Sequence, residues 1–321
     1  MLDLVPAPAT GALIALDQDR ATLDLDLRAG KAEATRIAYA ADGKAFARWC
    51  HARGLDPLAA NAETIAMHLS SAAATGLAPS SLGRRVAGIA YFLQLAGVAA
   101  DKLPTRSKLV RETLAGIRRR HARPSRRKDA ATTDVIRAML DTCGDDYQGL
   151  RDRALLAIGF AAALRRSELV AIDVEDLSEC SDGLRLTIRR SKTDQEGVGY
   201  MIPIGHGSRL RPVEAVQDWL RTAGITSGAV FTGVRGSRIL PRRLSSCMVA
   251  LIVKRRARLA GLDPRTLSGH SLRAGFCTSA AMHGANVFRI MDVTRHKSMD
   301  TLRGYVRERD MFRDYAGDGI L

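Results

Sequence analysis

The chain has 321 residues and carries 49 Lys and Arg against 34 Asp and Glu, a formal charge of +15. That length has room for two domains, and the charge points to a polyanionic partner, most simply nucleic acid. Hydrophobic residues at 46% suffice for packed cores, and no apolar run is long enough to span a bilayer. The N-terminus lacks a basic stretch followed by an apolar one, so it does not read as a signal peptide. Five scattered cysteines with no C-x-x-C argue against a disulfide framework or a zinc site and fit a reducing cytoplasm.

Residues 1–30 mix Pro, Gly, Asp and short apolar pieces and read as a flexible arm. From Thr35 the pattern turns helical. Ile37, Phe46 and Trp49 mark one stripe, and Gly54 closes the segment. Asn61 caps a second helix bearing Ile65, Met67 and Leu69. Pro79 opens a third, with Val86, Ile89, Phe92 and Leu93 apolar and Arg84 and Arg85 near its start. A fourth follows Pro104 with Leu109, Val110, Leu114 and Ile117. Residues 31–120 therefore form a compact helical domain. The segment 121–131 follows Arg118, Arg119 and Arg120, contains Pro124, Arg126, Arg127 and Lys128, and reads as a basic linker lying against phosphates.

A second domain, 132–321, begins where Thr133 and Asp134 cap a helix with Ile136, Met139 and Leu140. A buried helix follows from Ala154 to Leu164. Gly183 to Arg190 alternate, with Leu184, Leu186 and Ile188 on one side, as in a half-buried strand. A turn through Ser191, Lys192 and Thr193 leads to a second strand from Tyr200 to Ile204. The remainder reads as helices at 212–221, 244–259, 271–282 and 287–293, with a last helix through Tyr305. No phosphate-binding loop, H-E-x-x-H or Cys/His constellation is present, so no cofactor and no metal are expected.

The chemistry-bearing stretch runs from Thr266 to Arg307. His270 and Arg273 are three apart and share a helix face. His296 follows, and nine residues later comes Tyr305, flanked by Arg303 and Arg307. An arginine fork grips phosphate, histidine donates to the same anion, and a tyrosine beside such a cluster is a candidate phosphate-attacking nucleophile. This pattern resembles the C-terminal signature of the tyrosine recombinases (phage integrase family), most of all their Cre-like and Xer-like members.

The resemblance implies a mainly α fold with one small antiparallel β-sheet. It also implies an N-terminal helical core-binding (SAM-like) domain and a C-terminal tyrosine-recombinase catalytic domain. The family's T-G-L-R-x-x-E-L pattern is matched by Ala162-Ala163-Leu164-Arg165-Arg166-Ser167-Glu168-Leu169, which selects Arg165 as the first catalytic arginine and Glu168 as its orienting partner. Lys192 matches the family's hairpin lysine. His296 lies in Thr294-Arg295-His296, where the family has Leu-Gly-His. The catalytic set implied is Arg165, Lys192, His270, Arg273, His296 and Tyr305. Arg84, Arg85, Arg118, Arg119, Arg120, Arg126, Arg127 and Lys128 are the candidate DNA contacts.

The family's chemistry would make the protein a site-specific recombinase of double-stranded DNA. It would work through a 3′-phosphotyrosyl intermediate and a Holliday junction, as a monomer in free solution that assembles into a tetramer on paired sites, without a membrane. Two alternatives share parts of this signature: a type IB topoisomerase-like enzyme, and a non-catalytic DNA-binding protein retaining the fold. In residues 308–321, Met311, Phe312 and Tyr315 are apolar amid Asp310, Asp314 and Asp318. The family precedent has such a tail dock into a neighbouring protomer.

Overall fold

The computed structural model describes residues 17–23, 25–26, 30–121, 128–189, 199–296 and 298–299. The chain divides into two compact units between Ser125 and Arg126. Residues 17–23 of the arm are helical and exposed.

The first unit holds α1 (Glu33–His51), α2 (Ala62–Ala74), α3 (Pro79–Leu95) and α4 (Lys108–Arg120). Each of the last three starts for a local reason. The Asn61 side chain accepts from the Thr64 N–H at 2.9 Å, Pro79 sits in the first turn of α3, and Ser107 accepts from the Val110 N–H at 3.2 Å. The stretch after Pro104 is a 3₁₀ turn, Pro104–Arg106, and α4 begins only beyond the extended Ser107. Phe46, Ile65, Leu69, Leu82, Ile89 and Leu93 fill the core. Ile37, assigned to the same stripe as Phe46, is 63% exposed. Nine residues at 100° each place it half a turn away from Phe46.

The second unit is built around α6 (Tyr147–Ala161), whose residues Ala154 to Ile158 are all fully buried. Asp146 caps it by accepting from the Gly149 N–H at 2.6 Å, so the helix begins well before the expected Ala154. α5 (Thr133–Asp141) precedes it and the short α7 (Arg166–Ala171) follows. β1 (Leu177–Cys180), β2 (Gly183–Ile188) and β3 (Tyr200–Gly205) form an antiparallel sheet in that order. Leu184 pairs with Ile204 and Leu186 with Ile202, all four buried, while Arg185 is exposed. α8 (Pro212–Ala223) follows and packs Trp219 inside, its indole N–H donating to the Val230 carbonyl at 2.7 Å.

The expected single sheet is joined by a second, two-stranded one, β4 (Thr232–Arg235) and β5 (Arg238–Arg243). Gly236, at φ 58°, makes its two-residue turn. The sequence hides this hairpin because Gly233, Pro241 and several arginines break any alternation. β1 likewise went unread, its four residues Leu-Ser-Glu-Cys being too short to show an alternation. The helices that follow among the described residues are α9 (Ser246–Leu259), α10 (Ser271–Met282) and α11 (Val287–Thr294). Residues 128–132 belong to this unit. The Ala131 N–H donates to the Ser271 carbonyl at 2.9 Å, and a Cβ on Gly275 would come within 1.8 Å of the Ala131 oxygen.

Candidate active site

α6 cannot simply run on into α7. Ala163 takes a left-handed conformation, φ 48°, and turns the chain so that Arg165 stands at the start of α7. There Glu168, one turn in, reaches back. Its Oε2 accepts from the Arg165 backbone N–H at 2.9 Å and its Oε1 from Arg165 Nη1 at 2.6 Å. Glu168 is 4% exposed, while the Arg165 side chain keeps 21% of its surface open.

α10 and the end of α11 come to the same place. Arg273 is 1% exposed. Its Nη1 donates to the Ala163 carbonyl at 2.8 Å and its Nη2 to the Thr294 carbonyl. The strained turn and the helix end are thus tied to one guanidinium. Arg295 ends α11 in the left-handed region, φ 56°, and folds its side chain inward, where Nη2 donates to Glu168 Oε2 at 2.6 Å. Gly269 lets the Arg166 side chain lie close just before His270, where a Cβ would come within 2.5 Å of Arg166 Cδ and push that side chain aside.

The histidines are set by the same packing. Thr294 Oγ1 donates to the Ile290 carbonyl at 2.6 Å and lies 2.9 Å from His296 Nδ1. Burial, followed by the charges of Arg273, Arg165, His270 and Arg295, pushes the His296 pKa down to about 4. His270 is lowered as well, by burial first and then by Arg273, Arg166 and Arg165, even though it retains an exposed edge. Both rings are therefore neutral at pH 7. Arg273 is lowered to about 10, chiefly by burial and next by Arg165 and Arg295. That value still leaves it charged.

Of the sequence-predicted site residues, Arg165, Glu168, His270, Arg273 and His296 come together here. Lys192, Tyr305, Arg126 and Arg127 lie outside the described residues. Arg118, Arg119 and Arg120 are exposed at the end of α4. Arg84 and Arg85 face the buried Asp42, at 2.9 and 3.6 Å, and Lys128 donates to the Arg265 carbonyl. Sequence reasoning marked Arg295 only as a departure from a glycine. Among the described residues no group of His, Cys, Asp and Glu is arranged to hold a metal.

A fold of this kind and a basic cluster around one buried carboxylate define an anion-handling, mainly helical enzyme class, and comparison with known proteins gives it a family. The model of the phage integrase family matches residues 130–311. An integrase/recombinase XerD homolog from Selenomonas ruminantium is 37% identical over 294 residues, covering 90% of this chain and 86% of that protein. Tyrosine recombinase XerC from Chromohalobacter salexigens is 29% identical over 280 residues, 85% of each. Among solved structures, a lambda integrase (75–356) dimer bound to a COC′ core site matches with a TM-score of 0.61 at 20% identity, covering 91% of this chain and 94% of that one. XerH site-specific recombinase bound to its palindromic difH substrate matches at 0.60 and 15% identity, over 81% and 72%. The chain belongs to the phage integrase family, the tyrosine recombinases.

Proposed function

We propose that the protein is a site-specific recombinase that cleaves and rejoins double-stranded DNA. The observation that carries the proposal is the convergence of Arg165, Arg273 and two neutral imidazoles on one spot anchored by Glu168. Its relatives carry recombinase names, and the lambda integrase and XerH structures hold DNA sites.

In the chemistry we assign, the Tyr305 oxygen attacks a backbone phosphorus, a phosphotyrosyl bond forms at the 3′ side, and the bond to the 5′ oxygen breaks. The tyrosine proton passes to a neighbouring base, for which His296 is the candidate. Lys192 protonates the departing 5′ oxygen. Arg165, with its open face, meets the charge growing on the non-bridging oxygens, His270 donates beside it, and Arg273, held on the Ala163 and Thr294 carbonyls, adds its positive charge from behind. Attack of a 5′-hydroxyl on the phosphotyrosine reverses the steps, and the bond energy is conserved without a nucleotide. Strands exchange through a Holliday junction in a tetramer assembled on paired sites. The tail carrying Met311, Phe312 and Tyr315 docks on a neighbouring protomer. Arg118, Arg119, Arg120, Arg126 and Arg127 contact phosphates, which fixes position and not sequence. Among the described residues no helix is long and apolar enough to cross a membrane, and the cysteines are unpaired, which supports action in the cytoplasm.

The test uses DNA fragments that the protein itself selects from random duplexes, cloned in pairs on a supercoiled plasmid. Recombinant products with conserved length support the proposal. Relaxation of single-site plasmids without any exchange between sites would point to a topoisomerase instead.

A further inference from the structure

Arg295 has no counterpart in the glycine-bearing pattern that the rest of the signature follows, and the structure gives it an unusual place. Its backbone sits at φ 56°, a left-handed region that residues bearing a Cβ rarely adopt. Its side chain is only 8% exposed, and Nη2 holds Glu168 Oε2 at 2.6 Å. Nε and Nη1 are buried with no hydrogen-bond partner. A strained backbone and two desolvated donors are all unfavourable, so the arrangement persists because the fold around Glu168 imposes it.

The consequence lies in how Glu168 is divided. Oε1 accepts from Arg165 Nη1, and Oε2 accepts from the Arg165 backbone and from Arg295. Three guanidiniums, those of Arg165, Arg273 and Arg295, are gathered around one carboxylate. Arg273 spends its two terminal nitrogens on carbonyls, and Arg165 alone keeps an open face. A glycine at position 295 would leave Oε2 with the Arg165 backbone alone, and the carboxylate would be free to turn about its bond to Arg165 Nη1 and carry that head with it.

We propose that Arg295 is a positioning residue of the DNA-cleaving site: by holding Oε2 of Glu168 it fixes the carboxylate, and so aims the open face of Arg165 at the scissile phosphate. The inference rests on the recombinase function proposed above. The added positive charge also bears on His296, which faces Arg273, Arg165, His270 and Arg295. Arg295 in turn faces Glu168, Arg165 and Tyr200.

The experiment measures single-turnover formation of the protein–DNA adduct on a nicked duplex by Arg295→Gly, Arg295→Lys, Glu168→Gln and the Arg295→Gly/Glu168→Gln pair, with melting temperature and the His296 ring titration by NMR alongside. Glycine suits φ 56°, so Arg295→Gly should fold with an unchanged or higher melting temperature. Its cleavage should fall about 10- to 100-fold, the scale on which supporting partners act. His296 should titrate at a higher pH than in the parent, and Arg295→Lys should recover part of both effects. The double variant should be no slower than the worse single one, because both changes remove the same hold. Parent-like cleavage by Arg295→Gly overturns the inference, and so do losses that multiply in the double variant. Absence of any adduct with the parent protein would count against the recombinase function itself. In that event the Glu168–Arg295 contact would still be read from the His296 titration.

Discussion

Two clusters in the second unit have the same ingredients and different properties. Around Asp152 stand Arg151, Arg255 and Arg256; around Glu168 stand Arg165 and Arg295, with Arg273 beside them. At Asp152, which is fully buried, Arg151 and Arg256 turn inward, while the Arg255 side chain stays 36% exposed. Arg151 spends Nε on Oδ1 at 2.9 Å and Nη1 on the Thr232 carbonyl at 3.3 Å. Arg256 spends Nε on Oδ2 at 2.7 Å and Nη1 on the Thr142 carbonyl at 2.6 Å, which ties α9 to the loop before α6. At Glu168 the carboxylate is held just as firmly and Arg165 likewise stays partly open, but two neutral histidines join the group. Three arginines and a carboxylate therefore make either a clasp or an anion site. What separates them is the pair of histidines that stands beside the arginines at Glu168 and has no counterpart at Asp152.

The sharpest way to break the contrast is to remove each carboxylate-linked charge in turn. Asp152→Ala leaves buried guanidiniums without their anion and should cost about 3–5 kcal/mol of stability. It should appear as a large fall in the melting temperature of the second unit. Arg165→Ala should leave that temperature nearly unchanged and lower DNA cleavage by about 10²–10³, read as adduct formation under single-turnover conditions. A variant pair that exchanged these outcomes would show the two clusters to have been assigned the wrong way round.

Acid should sharpen it further. His296 has a folded pKa of about 4, below the ordinary imidazole value of 6.5. Its contribution to stability is then fully present above pH 6.5 and is lost as pH falls towards 4. Melting curves from pH 7.5 to 4.5 should show a decline that is smaller in His296→Gln.

The smallest effect concerns the turn that aims Arg165. Ala163 at φ 48° is strained in a way glycine is not. Ala163→Gly should therefore gain up to about 1 kcal/mol, since relief of the left-handed strain exceeds the entropy that glycine loses. Its carbonyl still accepts from Arg273, so cleavage should stay within about twofold by the same measurement.

Much of this site was legible in the sequence because its motifs are local. His270 and Arg273 are three residues apart, Arg165 and Glu168 likewise, and a buried helix leads straight into them. The alternation of Leu184, Leu186 and Ile188 was equally direct. Other features depend on residues far apart in the chain. The bond from Arg295 to Glu168 spans 127 positions, and a residue replacing glycine gives no hint that it turns inward. Gly269 and Gly275 likewise show their purpose only once Arg166 and the Ala131 carbonyl are seen against them. The β4–β5 hairpin was missed because its strands carry arginine, glycine and proline where alternation would be sought.

The central claim is that the Glu168 cluster serves a covalent attack by Tyr305 on DNA. The most direct measurement is denaturing electrophoresis of a labelled, nicked duplex after incubation with the protein in EDTA and without ATP. The account predicts a slow-migrating band of protein covalently joined to the 3′ side of the cut strand. Tyr305→Phe should not form it, although it binds the same duplex as tightly. An adduct of equal yield from Tyr305→Phe, or cleavage that EDTA abolishes, would contradict the account.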